Sequence, residues 1–514
     1  MEFAFDSFVC FFTAAFLFSL AGSTDASIHF YNRDPFREVG NAFLLSGGSE
    51  GVVLSRITSP LDQSPATSVQ DGRSYIRFEN ITFTRRKAAA DMSDTTGLIQ
   101  VVIFESADRD NIGGSAYGGQ RSICCTSDLA KLEGCKQGDV IRFPSATDLK
   151  WPIVLDVQFN GNELSTKMEN KEVFVTKTGM YNLFFISCDP KLSELTMSGR
   201  TIWKNPDGYL PARMAPLMKF YVVMCIAYVF LSIIWLFQYV RFWNDILQIQ
   251  HSIAVVIGLG LFEVILWYFE YARFDSTGIR PMGITTWVVT VGAIRKTLSR
   301  LLILSVSMGF GVVRPTLGGL TTKVLLIGVT YLIATELLNI TEYVGTINDV
   351  AGRARVLLVL PDAFLDAFLI LWIFTSLSKT LEQLQAKRSF VKLEIYKKFS
   401  NALAGAVLLS VVWIGYEVYF KATDPFNERW ESAWIITAFW DVLAFALLCV
   451  ICYLWSPSQN SQRYAYSSEI GEEDLEGGEE SQTLCSGRSK GEIGLIKQEN
   501  ADDSSSEDEE DKRE

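Results

Sequence analysis

From Leu217 to Trp455 the chain is a succession of apolar segments, each long enough to cross a bilayer, and this constrains every other reading. The segments are Leu217–Val240, Ile253–Tyr271, Ile284–Val313, Val324–Val344, Val356–Leu377, Ala402–Phe420 and Ser432–Trp455. A hydrocarbon layer of about 30 Å takes about 20 helical residues. The pattern therefore predicts an α-helical membrane bundle of seven spans over residues 217–455. The third segment is the least clean, because Arg295, Lys296 and Arg300 interrupt it; read as a loop, it would leave six spans and move the C-terminus across the membrane. Seven spans with an external N-terminus put Arg241, Arg314, Lys323, Lys379, Lys387, Arg388, Lys392, Lys397 and Lys398 in the cytosolic loops. The luminal loops then hold Arg273, Arg280, Arg353, Arg355, Lys421 and Arg429. That bias has the sign of the positive-inside rule. Trp243, Trp372, Trp430, Trp434 and Trp455 fall near span ends, where interfacial anchors are expected.

The N-terminal part has a different texture. Phe8–Ala21 is a short apolar run followed by Gly22, Ser23, Thr24 and Ala26, the length and ending of a cleaved signal peptide over residues 1–26. Its n-region is atypical, with Glu2 and Asp6 where positive charge is the rule. Residues 27–213 carry short strand-like stretches at Tyr75–Phe83, Leu98–Phe104, Val140–Phe143, Ile153–Phe159, Val173–Val175 and Met180–Cys188. In Ile153, Leu155, Val157 and Phe159 the apolar period is two, so one strand face is buried. Glycine-rich turns at Gly113-Gly114, Gly118-Gly119 and Asn205-Pro206-Asp207-Gly208 separate the runs, giving an all-β luminal sandwich. Cys124, Cys125, Cys135 and Cys188 lie in this domain. A bond between the adjacent Cys124 and Cys125 would be strained, so each is expected to pair outward with Cys135 or Cys188. Their spacing lacks the paired knuckles of a zinc site, and no metal is expected. Asn80-Ile81-Thr82 is a luminal glycosylation sequon, whereas Asn339-Ile340-Thr341 matches the same pattern inside the fourth span.

Four stretches carry a resemblance to a known family. NPDGYLPARMAPLMKFYVVM (Asn205–Met224) resembles the entry to the membrane domain of the GOLD-domain seven-transmembrane proteins, also called the lung seven-transmembrane receptor-like family. WYFEYARFDSTGIRP (Trp267–Pro281) and KTLSRLLILSVSMGFGVVRPTLGG (Lys296–Gly319) resemble its transmembrane protein 87 branch, and TGMYNLFFISCD (Thr178–Asp189) is similar to the closing strands of a GOLD-type sandwich. The resemblance runs from about Trp151 to Trp455. It implies a GOLD-like sandwich on a seven-helix bundle, resident in Golgi and post-Golgi or endosomal membranes. It further implies a role in escorting or sorting membrane and secreted cargo; a cation-conducting role has also been proposed for the branch. The family has no agreed catalytic residues to carry over.

Charge and motifs narrow the function classes. The net charge of −12 resides in the tail: Ser467–Glu514 holds 17 acidic and 5 basic residues, leaving 41 of each elsewhere. A neutral body with an acidic tail is not a nucleic-acid binder. Two histidines, His29 and His251, leave little room for histidine chemistry. Gly47-Gly48-Ser49-Glu50-Gly51 fits the nucleophile-elbow spelling without a downstream luminal histidine, and reads as a glycine turn. No enzyme activity and no cofactor are expected. The third span ends without Asp-Arg-Tyr and the seventh without Asn-Pro-x-x-Tyr, which argues against a G-protein-coupled receptor. Residues 456–514 read as a disordered acidic cytosolic tail. In it Ser504-Ser505-Ser506 precede Glu507–Asp511, the pattern of an acidophilic-kinase site and of an acidic sorting signal that would meet cytosolic sorting machinery.

The remaining signal is charge inside the spans, which is expensive and usually paired or functional. The acids are Glu263, Glu270, Glu336, Glu342, Asp362, Asp366, Glu417 and Asp441, against Arg295, Lys296 and Arg300 on the third span. The sequence thus predicts an acidic, hydrated cavity open to the lumen, with Glu263, Arg295, Lys296, Arg300, Glu336 and Asp441 as its site residues. Such a cavity suits a cation, a membrane lipid headgroup or a basic segment of cargo. The expected function is support of membrane-protein trafficking, with cargo or lipid bound by the luminal domain and the cavity. The alternative is a cation channel or transporter.

Overall fold

A computed structural model describes residues 27–54, 73–86, 97–115, 121–131, 135–145, 148–160, 163–189, 192, 194–310, 320–343, 353–388, 390–424 and 428–457. The expected signal peptide (1–26) and Ser504, Ser505 and Ser506 lie outside the described residues.

Residues 27–204 form two antiparallel sheets. The strands are β1 (Ile28–Pro35), β2 (Arg37–Val39), β3 (Ala42–Val52), β4 (Tyr75–Thr84), β5 (Leu98–Glu105) and β6 (Gly114–Ser115). They continue with β7 (Arg121–Ser122), β8 (Ile153–Gln158), β9 (Ser165–Lys167), β10 (Lys171–Phe174), β11 (Gly179–Ser187) and β12 (Thr196–Lys204). One sheet has the order β1-β12-β4-β10, with β9 also on β4, and the other β2-β3-β11-β5-β8; β6 and β7 pair apart. Between the two large sheets lie Ile76, Phe78, Phe83, Val101, Ile103, Leu183, Phe185 and Trp203. Ile153, Leu155, Val157 and Phe159 face this core, as their period of two predicts.

β11 is buried on both faces. Tyr181, Leu183 and Phe185 point into the sandwich, while Phe184 and Ile186 join Val102, Phe104, Cys124 and Val140 in a second cluster. The excursion between β5 and β8 covers this outer face. Two disulfides hold it: Cys124–Cys188 ties it to the end of β11, and Cys125–Cys135 closes a loop within it. Val140–Phe143, expected as a strand, makes only isolated bridges, Ile112 to Arg142 and Cys124 to Val140, because it serves as this cover rather than as a sheet member. The glycine cluster at 47–51 is likewise not a turn but the middle of β3. A side chain at Gly47 would collide with Leu183 and Phe185, and one at Gly48, at φ +112°, with His29. The glycines therefore permit close approach within the sheet.

Seven long helices follow: α1 (Ala215–Arg241), α2 (Gln248–Thr277), α3 (Met282–Ser307), α4 (Leu320–Tyr343), α5 (Arg353–Ala386), α6 (Phe390–Thr423) and α7 (Ala433–Leu454). Successive helices pack side by side, α5 also packs on α3, and α7 closes back on α1. Six of them are long and apolar enough to cross a membrane; α3 is not, because of its three basic residues. Outward faces are greasy, as at Val223, Ile226, Phe230, Ile233, Leu236 and Phe237 of α1. A helix apolar on its outside belongs in lipid. α5 and α6 are 34 residues each and overrun the expected spans Val356–Leu377 and Ala402–Phe420 at the end away from the sandwich. Trp372 consequently falls inside a helix rather than at its end. Trp430 and Trp455 are buried, and so act in packing rather than as interfacial anchors.

The sandwich is fastened to the near end of the bundle by backbone. Ile28 N donates to Gly278 O (3.2 Å), Tyr209 N to Asp275 O (2.9 Å) and Ala212 N to Gly51 O (3.0 Å). Asp275 Oδ1 accepts from Leu210 N (3.0 Å), and Met180, Ala212 and Trp430 form a small apolar seam.

Candidate functional site

α3 owes its basic face to helical spacing. Gly292, Arg295, Lys296, Ser299, Arg300 and Ile303 recur at three- and four-residue steps and share one side. That side fronts a cavity of about 580 Å³ enclosed by α1, α2, α3, α5, α6 and α7, with Asn339 of α4 at its edge. Glu263 and Arg295 sit about halfway along their helices, so the charged zone lies near mid-bundle.

Arg295 is the hub. Its guanidinium donates through Nε to Glu263 Oε2, and Nη2 lies 3.4 Å from Glu263 Oε1 and 3.9 Å from Asp441 Oδ1. Asp441 Oδ2 also accepts from Tyr221 OH at 3.3 Å. The absence of a side chain at Gly292 leaves the space that Glu263 fills. A second group follows one turn on: Arg300 Nε lies 3.3 Å from Asp366 Oδ1, which accepts from Tyr331 OH at 2.9 Å. Lys296 Nζ stands 5.5 Å above the Tyr331 ring, within cation–π range. Buried charges are tolerated only when paired in this manner.

Much of the remaining lining is apolar: Ile436, Leu443, Ala444, Leu447, Leu448 and Ile451 of α7, with Val256, Val288 and Val289. Toward the sandwich, Tyr221, Trp267 and Tyr271 stack with centroids 5.8 Å apart.

Five expected site residues, Glu263, Arg295, Lys296, Arg300 and Asp441, line this one cavity. Glu336 does not. It lies on the far side of α3, buried against that helix, where Oε1 accepts from Thr290 (2.7 Å) and Oε2 has no partner. The expected excess of acid is also smaller than the sequence suggested. Glu270 is taken by Arg280, which turns back from the α2–α3 loop, with Thr285 donating as well. Glu417 lines the cavity but pairs with Lys421 at 2.6 Å. The side chains of Glu342 and Asp362 fall outside the described residues. The cavity is therefore of mixed charge beside an apolar wall, rather than acidic. Sequence reasoning missed Tyr221, Trp267 and Tyr331, whose only signal was an aromatic within an apolar span.

In the sandwich, Asn80 is exposed, at φ +53° in a bulge of β4, with Thr82 Oγ1 3.4 Å from its carbonyl oxygen. Ser49 lies within β3 and donates to Asn182 (2.7 Å), not at a strand-to-helix elbow. Among the described residues no group of three or more His, Cys, Asp or Glu side chains is placed to hold a metal ion.

Residues 216–462 match the family model of the GOST seven transmembrane domain. These residues are a GOST seven-transmembrane domain. α3, with its charges, is therefore one of seven spans. The chain is 36% identical over 275 residues to human transmembrane protein 87B, covering 53% of this chain and 48% of that protein. Human transmembrane protein 87A is 34% identical over 314 residues, covering 60% of this chain and 56% of its own length. The chain thus spans about half the length of these animal relatives. "Membrane protein PTM1" of Saccharomyces cerevisiae is 23% identical over 420 residues, 76% of each chain. The likeness read from Asn205–Met224, Trp267–Pro281 and Lys296–Gly319 is this same likeness to the transmembrane protein 87 branch.

Proposed function

We propose that this protein supports membrane-protein trafficking in Golgi and post-Golgi membranes, holding a lipid in the bundle cavity while the sandwich engages cargo. The sandwich, disulfide-bonded and carrying a glycan at Asn80, faces the lumen; the acidic tail faces the cytosol and its sorting machinery. No catalytic step is assigned to it.

The cavity carries this reading. Its volume of about 580 Å³ lies within the range of small-molecule sites, roughly 300–1,000 Å³. Its lining differs in the way a lipid differs along its length. The Arg295, Lys296, Arg300, Asp366 and Asp441 cluster would take a headgroup bearing both charges, and the apolar residues Leu443, Ala444, Leu447, Leu448 and Ile451 would take acyl chain.

The test is native mass spectrometry of the purified full chain with lipid extraction. One lipid per chain is expected to co-purify, reduced at least several-fold by Leu443→Trp, which fills the apolar wall, and by Lys296→Gln. Wild-type protein without bound lipid would remove the basis of the proposal. Reconstitution in liposomes settles the competing transport reading. Cation flux altered by Asp441→Asn would make the cavity a permeation path; silence is expected, because three bases stand at its waist.

A further inference from the structure

The end of the bundle away from the sandwich is not level. Thr380 Oγ1 of α5 donates to Ser307 O (2.8 Å), and Tyr396 OH of α6 donates to Val306 O (3.2 Å). The last turn of α3 therefore ends level with Thr380 and Tyr396. α5 continues six residues beyond that level to Ala386, and α6 begins six residues before it at Phe390. At 1.5 Å per residue the α5–α6 hairpin stands about 9 Å proud.

Its surface is basic and partly apolar. Between residues 379 and 398 the sequence sets Lys379, Lys387, Arg388, Lys392, Lys397 and Lys398 against two acids, Glu382 and Glu394, and Glu394 lies 2.8 Å from Lys398. Phe390 and Val391 at the tip are 76% and 73% exposed. An apolar pair ringed by lysines at a raised tip marks an interaction surface. A headgroup layer adds only about 6 Å to each side of the hydrocarbon, less than the rise of this hairpin above the end of α3.

The chain leaves the bundle beside this hairpin. α7 ends at Leu454 and is capped by Trp455, whose ring meets Tyr396 at 6.0 Å and Phe399 at 5.1 Å between centroids. The segment that follows is the complement in charge: 17 acids against 5 bases from Ser467 onward, with Leu475, Leu484 and Leu495-Ile496 interspersed. Glu472 is the first of a run of three acids, 17 residues past Trp455. Seventeen residues reach at most about 55–60 Å when fully extended, which covers the hairpin tip. Tethering at such range supplies an effective concentration on the order of millimolar.

We propose that the acidic tail docks on the α5–α6 hairpin of its own chain, its carboxylates on Lys387, Arg388 and Lys397 and its leucines on Phe390 and Val391. The contact covers the tail's acidic cluster until a competing partner takes it.

The test is trypsin cleavage at Arg488, Lys490 and Lys497 in the full chain, held in nanodiscs of neutral phosphatidylcholine at low salt. K387E/R388E/K397E is expected to be cut at these sites at least about 5-fold faster than wild type, since docked backbone is protected. E507Q/D508N/E509Q/E510Q/D511N, which alters the tail alone and leaves the folded part untouched, should give the same acceleration. Salt at about 0.5 M should bring wild type to the rate of the variants by screening. Equal rates at low salt in all three proteins would overturn the proposal.

Discussion

Arg295 is the side chain on which the membrane half depends, because Glu263 and Asp441 both rely on it for positive charge. Breaking a buried pair from one side strands a charge at a cost of about 3–5 kcal/mol, whereas replacing both partners with apolar groups is often neutral. Arg295→Met is therefore expected to destabilise the protein by roughly 3 kcal/mol or more in thermal unfolding. Arg295→Met combined with Glu263→Met should recover most of that loss. A double variant as unstable as the single one would show that Arg295 acts through packing or through Asp441 instead. The charged residues were legible in the sequence, since any charge in an apolar run stands out. Their partners were less so. Glu270 looked like cavity acid because Arg280 is ten residues away across a helix end and its capping Gly278, and nothing in local spacing shows that the loop folds inward. Glu336 was misplaced because period alone gives a face, not the neighbour that the face meets.

At the scale of the element, strands carried by apolar runs were readable and the strand broken by glycines was missed. β8 announced itself through Ile153, Leu155, Val157 and Phe159. β3 was hidden because glycines occupy the positions where β11 comes closest, and glycine in sequence reads as a turn. β11, buried on both faces, lacks a polar side that would set its register. Two tyrosines of these strands carry a pH signature. Tyr31 of β1 donates to Gly47 O (2.7 Å) and lies 2.9 Å from Thr201 Oγ1; Tyr181 of β11 donates to Lys177 O (2.7 Å). Burial raises both hydroxyls well above their ordinary value of 10.0; Thr201 offsets this slightly for Tyr31, and the Glu105 charge adds to it for Tyr181. A folded-state value raised above the unfolded one gives stability that is complete below pH 10 and lost as pH rises beyond it. Each unit above pH 10 is expected to cost up to about 1.4 kcal/mol per tyrosine. Thermal unfolding of the full chain across this range should fall less steeply for Tyr31→Phe with Tyr181→Phe than for wild type. Identical slopes would assign alkaline loss to other groups.

At the scale of the whole molecule, the two halves were legible separately and their union was not. Seven apolar runs dictated a bundle and short alternating runs dictated a sandwich, but the seam uses residues with no sequence signature. Gly51 offers its carbonyl to Ala212, and a side chain there would come within 3.2 Å of the Trp430 ring, 3.3 Å of Ala212 and 3.4 Å of the Arg213 nitrogen. Gly278, at φ +71°, turns the end of α2 so that its carbonyl receives Ile28, and Asp275 takes the backbone of Tyr209 and Leu210. Three backbone links, one backbone-to-carboxylate bond and an apolar contact make a joint rather than a tether. Separately folding domains joined in this way unfold together only while the joint holds. Gly51→Val is expected to part the seam and leave each half folded. Its interior disulfides Cys124–Cys188 and Cys125–Cys135 are remote from the change and keep the sandwich intact. Hydrogen exchange should rise by at least about tenfold at Tyr209, Leu210 and Ala212, whose amides bond across the seam, while β11 and β12 exchange as in wild type. A rise spread over the whole sandwich would mean that Gly51 serves β3 itself. No rise at all would mean that Trp430 yields to the added side chain and the sandwich rides more loosely on the bundle than these hydrogen bonds imply.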